Sequence, residues 1–189
     1  MATLFLAHSA FATVYLDDTW ADGTRNNQNL PVESAWFSSS GSALTAATGS
    51  MNLAVGNSAV MGITYFTTND TSPLQLGVGD TLTASFKMFF TNVAPANGSQ
   101  GFRITIADFA DSGLSPKRVT ADGFGSSSQG SNVQAYALFQ NMGSNFNNNA
   151  PMDLRKRTLL TDNSLLGSSG DWSSIGTGPS ASNNFPGFS

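Results

Sequence analysis

The chain has no cysteine, one histidine and one glutamate in 189 residues, and each scarcity removes a class of chemistry. Without cysteine there is no disulfide, no thiolate nucleophile and no Cys-ligated metal. The histidine, His8, falls in an N-terminal segment that reads as a removable leader, so the mature chain has no imidazole for a Ser-His-Asp triad or a His-based metal centre. With Glu33 as the lone glutamate, the carboxylate pair of a glycoside hydrolase would have to come from aspartates. Asp108 and Asp111 flank the end of one expected strand, but aspartates at turns ordinarily cap backbone amides. Lyase chemistry with a tyrosine base has Tyr15, Tyr65 and Tyr136 to draw on, and nothing in the sequence positions them for it. Packed core tyrosines are the expectation.

Charge is also scarce. Asp, Glu, Lys and Arg make up 11% of the chain, against roughly 25% in an average soluble protein. A net charge of -4 with eight Lys and Arg argues against a nucleic-acid partner, since phosphate neutralisation needs a basic patch. The basic cluster Arg155, Lys156 and Arg157 alternates sides in a strand, with Arg155 and Arg157 on one face and Lys156 on the other. It is expected to be a solvated strand face. No stretch approaches the roughly 20 apolar residues of a membrane-spanning helix.

Ser, Thr, Asn, Gln and Gly fill the place of the missing charges, in stretches such as 38–42, 123–131 and 143–149. These residues form turns and strands readily and fill helix interiors poorly, so β structure is expected. The length suits one sizeable all-β domain. At the N-terminus, 1–12 is an apolar run ending in Ala10-Phe11-Ala12, the small-x-small pattern of a signal-peptidase site, though without a basic n-region. Cleavage after Ala12 is expected, leaving 13–189 as the domain of a protein secreted or held on the outer surface of a bacterial cell.

Along the domain the apolar pattern has period two, interrupted by turn residues. Strands are expected at 13–17, 51–55, 59–66, 81–91, 101–109, 134–140 and 152–158, with short ones at 159–166 and 172–175. The clearest is 81–91, with Leu82, Ala84, Phe86, Met88 and Phe90 on one face and Thr83, Ser85 and Lys87 on the other, while Phe89 interrupts the polar face. Segment 101–109 places Phe102, Ile104 and Ile106 opposite Arg103 and Thr105. Strand 134–140 reads as buried on both faces, and 152–158 as an exposed or edge strand. Gly56-Asn57, Gly79-Asp80 and Asn97-Gly98 supply turns. The pattern describes a two-sheet antiparallel sandwich. Its strand count is low for a closed one, so the final strands are expected to be missing after Ser189.

Several phrases carry a resemblance: Asp17-Asp18-Thr19-Trp20-Ala21-Asp22-Gly23-Thr24-Arg25, Gln28-Asn29-Leu30-Pro31, Ser34-Ala35-Trp36, Leu76-Gly77-Val78-Gly79-Asp80 and Thr120-Ala121-Asp122-Gly123-Phe124-Gly125. Over about 15–175 the chain resembles secreted PEP-CTERM-type proteins of Verrucomicrobia-like environmental bacteria with a concanavalin A/LamG-like jelly-roll domain. The resemblance implies that fold and an extracellular setting, and is nearly silent on activity. The sorting segment itself is absent from this sequence.

Two sets of residues are candidates for binding. Trp20, Trp36 and Trp172, among many Asn and Gln, offer aromatic platforms of the kind on which sugar rings stack. Asp17, Asp18 and Asp22 are close enough in sequence to supply oxygens to a structural calcium, although their spacing is not that of an EF-hand loop. No other cofactor is expected. The functional expectation is a non-catalytic secreted or cell-surface domain with weak carbohydrate binding, its partner an extracellular polysaccharide. A structural or adhesive matrix protein is the second reading, and a fragment of a polysaccharide-active lyase or glycoside hydrolase the third.

Overall fold

The computed structural model describes residues 12–56, 58–69, 72–91, 101–109, 118–125, 132–141, 152–161 and 169–177. They form an all-β structure of antiparallel strands whose helical content is two short 3-10 turns, Gly41–Ala43 and Ser169–Asp171.

The N-terminal part contains two small ladders. Strand β1 (Trp36–Ser38) pairs with β4 (Gly62–Thr64), and β2 (Leu44–Ala47) forms a hairpin with β3 (Ser50–Leu53). The β2–β3 register, Ala47 opposite Ser50, leaves Thr48-Gly49 as a two-residue turn, and Gly49 takes the positive φ of 79° that this turn requires. Ser34, Ala35, Ser38, Leu44 and Val119 are the buried residues here.

The larger sheet comprises β5 (Gly101–Asp108), β6 (Gln134–Asn141), β7 (Asp153–Arg157) and β8 (Trp172–Thr177), in that spatial order and all antiparallel. Its register defines two faces, because residues directly opposite one another point the same way. On one face Ala135 and Ala137 leave room for larger neighbours, and they form a core with Trp172, against which Ala107 and Phe139 pack. The Trp172 and Phe139 rings meet edge to face at 5.4 Å. The other face carries Ile106, Tyr136 and Leu154, all exposed. On that face strand 134–140 is open at Tyr136, which is 51% exposed, and buried at Gln140, which is 4% exposed.

Strand β7 lies inside the sheet, between β6 and β8, not at an edge. Lys156 is exposed as expected, but the face shared by Arg155 and Arg157 is not solvated. Arg157 is 1% exposed and donates from Nη1 to the Val133 carbonyl at 2.9 Å. Arg155 lays its guanidinium 4.6 Å from the centre of the Phe139 ring while its Nε bonds Asp153 at 2.6 Å. A long arginine stem covers apolar surface while its planar head is satisfied by carbonyls, carboxylates and ring faces, and that chemistry outweighed the sequence-level expectation.

Segment 13–17 is irregular, with the Asp17 amide donating to the Pro31 carbonyl, the residue that follows a cis Leu30–Pro31 bond. Segment 81–91 joins no ladder in spite of its alternation. Phe86 and Phe89 are exposed there, and Lys87 Nζ sits 5.0 Å from the Phe89 ring. Strands β1 and β2 arise where no strand was expected. The leader 1–11 with His8, the Asn57 and Asn97-Gly98 turn positions, Asp111, 143–149, 162–166 and the C-terminal residues lie outside the described residues. Among the described residues no helix is long and apolar enough to cross a membrane.

Candidate functional site

The aspartate- and tryptophan-rich stretch before β1 folds around Asp18. Its Oδ1 accepts the Trp20 amide at 2.9 Å, and its Oδ2 accepts the Ser34 amide and the Trp36 indole Nε1–H, each at 3.2 Å. One carboxylate thus fixes the backbone at Trp20 and the ring at Trp36. The two indoles meet at 6.1 Å between centroids with their planes tilted by 53°, and both are half-buried. Trp20 has φ of 51°, a left-handed conformation uncommon for a bulky residue. Its carbonyl accepts the amides of Gly23 at 3.0 Å and Gly49 at 2.9 Å, which hold it there. The Trp20 indole N–H is buried and has no acceptor among the described residues.

Beside this pair a shallow, open polar depression is lined by Asp18, Asp22, Thr24, Arg25, Asn27, Glu33 and Ser34. The hydroxyl and amide of Thr24 both donate to Asp22 and, with the Asn27 amide, hold its carboxyl below the ordinary value of 3.8. Arg25 donates to the Trp36 carbonyl at 2.6 Å and grips Asp122, which in turn accepts the Ser38 amide at 2.9 Å. Gln28 bridges to the Ala35 amide and the Tyr65 carbonyl. The Ser34 hydroxyl bonds that of Thr64. The depression is thus a rim of carboxylates, amides and hydroxyls on a frame anchored to β1 and β4.

The three candidate tryptophans therefore separate. Trp20 and Trp36 come together at the surface, whereas Trp172 is 4% exposed with Phe139 and the β6 alanines against it, which withdraws its ring from any surface ligand. Of the three candidate calcium ligands, Asp18 and Asp22 spend their oxygens on protein donors. Among the described residues no three acidic, imidazole or thiol side chains are grouped to hold a metal ion. The sequence reading did not single out Arg25, Asn27, Ser34 or Asp122. The Arg25–Asp122 contact spans 97 residues, so no local pattern announces it.

Tyr65 is held by several neighbours. Its hydroxyl accepts the Val119 amide at 2.9 Å, its ring meets Phe109 edge-on at 6.0 Å, and the Arg118 guanidinium lies 4.8 Å from the ring centre. Searches of protein families, of characterised proteins and of solved structures find no match to this chain.

Proposed function

We propose that this chain is a non-catalytic secreted or cell-surface β-domain, of the two-sheet jelly-roll type, that binds extracellular polysaccharide weakly at the Trp20–Trp36 depression. The observation that supports this reading is the tilted indole pair joined through Asp18 to a rim of Asp22, Asn27 and Glu33. Sugar recognition needs an apolar ring face for the C–H side of the pyranose and hydrogen-bonding groups for its hydroxyls; the half-buried indoles supply the first and the polar depression joined to them through Asp18 supplies the second. Its openness fits weak binding of a chain, not enclosure of a small molecule.

A glycan array and affinity electrophoresis on plant, algal and bacterial polysaccharides test the proposal. A hit lost in both Trp20→Ala and Trp36→Ala, with Trp172→Phe still binding, supports it. No hit across the panel, or a hit indifferent to Trp20 and Trp36, overturns it.

The exposed apolar face of the large sheet favours a second reading, an adhesive or matrix role. Ile106, Tyr136 and Leu154 share that face, and patches of this kind mark contact surfaces. Concentration-dependent association that is abolished by Tyr136→Lys distinguishes it from sugar binding, which that substitution leaves intact.

A further inference from the structure

Strand β5 has β6 on one side and, among the described residues, no strand on the other. An eight-residue strand whose second side has no described neighbour is a template for another strand, and proteins ordinarily cover or blunt such edges. The chain supplies a segment with the matching pattern. In 81–91, Leu82, Ala84, Phe86, Met88 and Phe90 recur with period two, yet Phe86 is 56% and Met88 37% exposed. That alternation serves a half-buried strand and is wasted on a solvated one. One point of attachment is in place, because the Phe90 ring lies 4.9 Å from that of Phe102, the second residue of β5, with the planes 34° apart.

We propose that 81–91 adds to β5, on the side away from β6, as an antiparallel fifth strand, with Phe90 opposite Phe102, Met88 opposite Ile104 and Phe86 opposite Ile106. The register follows from the one ring contact and the period of two. It places Leu82, Ala84, Phe86, Met88 and Phe90 on the face that already carries Ile106, Tyr136 and Leu154, and turns Thr83, Ser85, Lys87 and Phe89 to the other. A slip by one residue exchanges the two sets, so the pattern specifies this pairing strongly. The occupant is the chain's own segment. Residues 92–100 connect it directly to β5, and a short tether gives an effective concentration on the order of millimolar, above that of a second copy at working concentrations. The added strand closes an edge open to aggregation and widens the apolar face that a second layer would cover. The inference is independent of sugar binding, since none of these residues lines the Trp20–Trp36 depression.

The absence of native cysteine makes the test direct. Directly opposed residues in an antiparallel pair have Cα atoms about 4.5–5.5 Å apart, within the span of a disulfide. Met88→Cys with Ile104→Cys is expected to oxidise to an intrachain disulfide in the folded monomer. Phe89→Cys with Ile104→Cys, one residue out of register and on the opposite face, is expected not to. Failure of the first pair, equal cross-linking of both, or a disulfide only between chains overturns the proposal, the last in favour of strand exchange between copies. Hydrogen exchange on the unsubstituted protein gives a reading that no substitution can disturb. Amides of 81–91 are expected to exchange at least tenfold more slowly than an unstructured chain, and exchange at the unstructured rate across the segment overturns the pairing.

Discussion

Arg25 closes a two-point contact on Asp122, with Nη1 to Oδ1 at 3.1 Å and Nη2 to Oδ2 at 2.5 Å, and so ties the stretch before β1 to the 118–125 segment. The same guanidinium holds the Trp36 carbonyl, and the same carboxylate holds the Ser38 amide, so the pair clasps β1 from both sides. Side-chain exposures of 15% and 29% place the contact at the margin of solvent, where a bidentate charged pair outperforms a free surface ion pair. Arg25→Ala is expected to cost about 2 kcal/mol in urea unfolding.

That clasp carries a pH dependence. The Arg25 hydrogen bond first, and the Ser38 amide with it, hold the Asp122 carboxyl below its ordinary 3.8 against a smaller opposing effect of burial. A depressed carboxylate contributes stability that is fully present above its unfolded value and is lost as pH falls through the folded one. The stability gap between the unsubstituted protein and Asp122→Asn is therefore expected to be full near neutrality and to close as pH drops below 3.8. Urea midpoints over that range check it, and a gap that persists unchanged in acid would contradict the ionic character of the contact.

Gly23 and Gly49 both sit at positive φ, 74° and 79°, and both donate to the Trp20 carbonyl, yet they differ in surroundings. A Cβ on Gly49 meets nothing within 4 Å, whereas one on Gly23 meets the Thr48 backbone nitrogen and its Oγ1 at 3.2 Å. Gly49→Ala bears only the left-handed penalty, about 1–2 kcal/mol. Gly23→Ala adds a clash with backbone that has to shift, so its cost is expected to be larger and to weaken glycan binding as Trp20 moves. Equal unfolding free energies for the two variants would show that Thr48 yields without cost.

Asp18 joins the two indoles, and removing it tests whether their arrangement matters for binding. In Asp18→Ala the Trp20 and Ser34 amides and the Trp36 indole lose their acceptor together, at about 2–3 kcal/mol for a part-buried charged acceptor. Trp36 fluorescence is expected to shift as its Nε1 becomes hydrated. Polysaccharide affinity is expected to fall even though both rings remain, which distinguishes a preorganised platform from two independent ones.

Period-two patterning revealed the strands whose partners are near in sequence or strongly alternating. Segments 101–109, 134–140, 152–158 and 172–175 all lie in β5 to β8 within a residue or two. Pattern did not reveal which face is covered. Ala135 and Ala137 look uninformative beside Tyr136 and Leu138, but it is the alanines that admit Trp172 and Phe139. Three-residue strands such as β1 are too short to show a period, and β1 exists because Asp122 and β4 hold it from distant parts of the chain. The cluster of Asp17, Asp18 and Asp22 was visible, but its chemistry was not, since a carboxylate that caps amides and one that awaits a cation look alike in sequence.

Phe139 and Tyr136 occupy one strand on opposite faces, and their substitutions separate the covered side of the sheet from the open one. Phe139 is faced by the Arg103 guanidinium at 4.2 Å and the Arg155 guanidinium at 4.6 Å, with Trp172 at its edge. Replacement by leucine keeps apolar volume but removes the ring quadrupole on which two like charges rest, so Phe139→Leu is expected to cost about 2 kcal/mol. Tyr136, 51% exposed, has Lys156 Nζ at 6.0 Å from its ring centre. Tyr136→Leu is expected to change stability by less than about 0.5 kcal/mol. Urea denaturation of the two variants in parallel decides it. A large loss in Tyr136→Leu would mean that a second layer covers the apolar face in solution, and a negligible one in Phe139→Leu would mean that the ring does not carry the two guanidiniums.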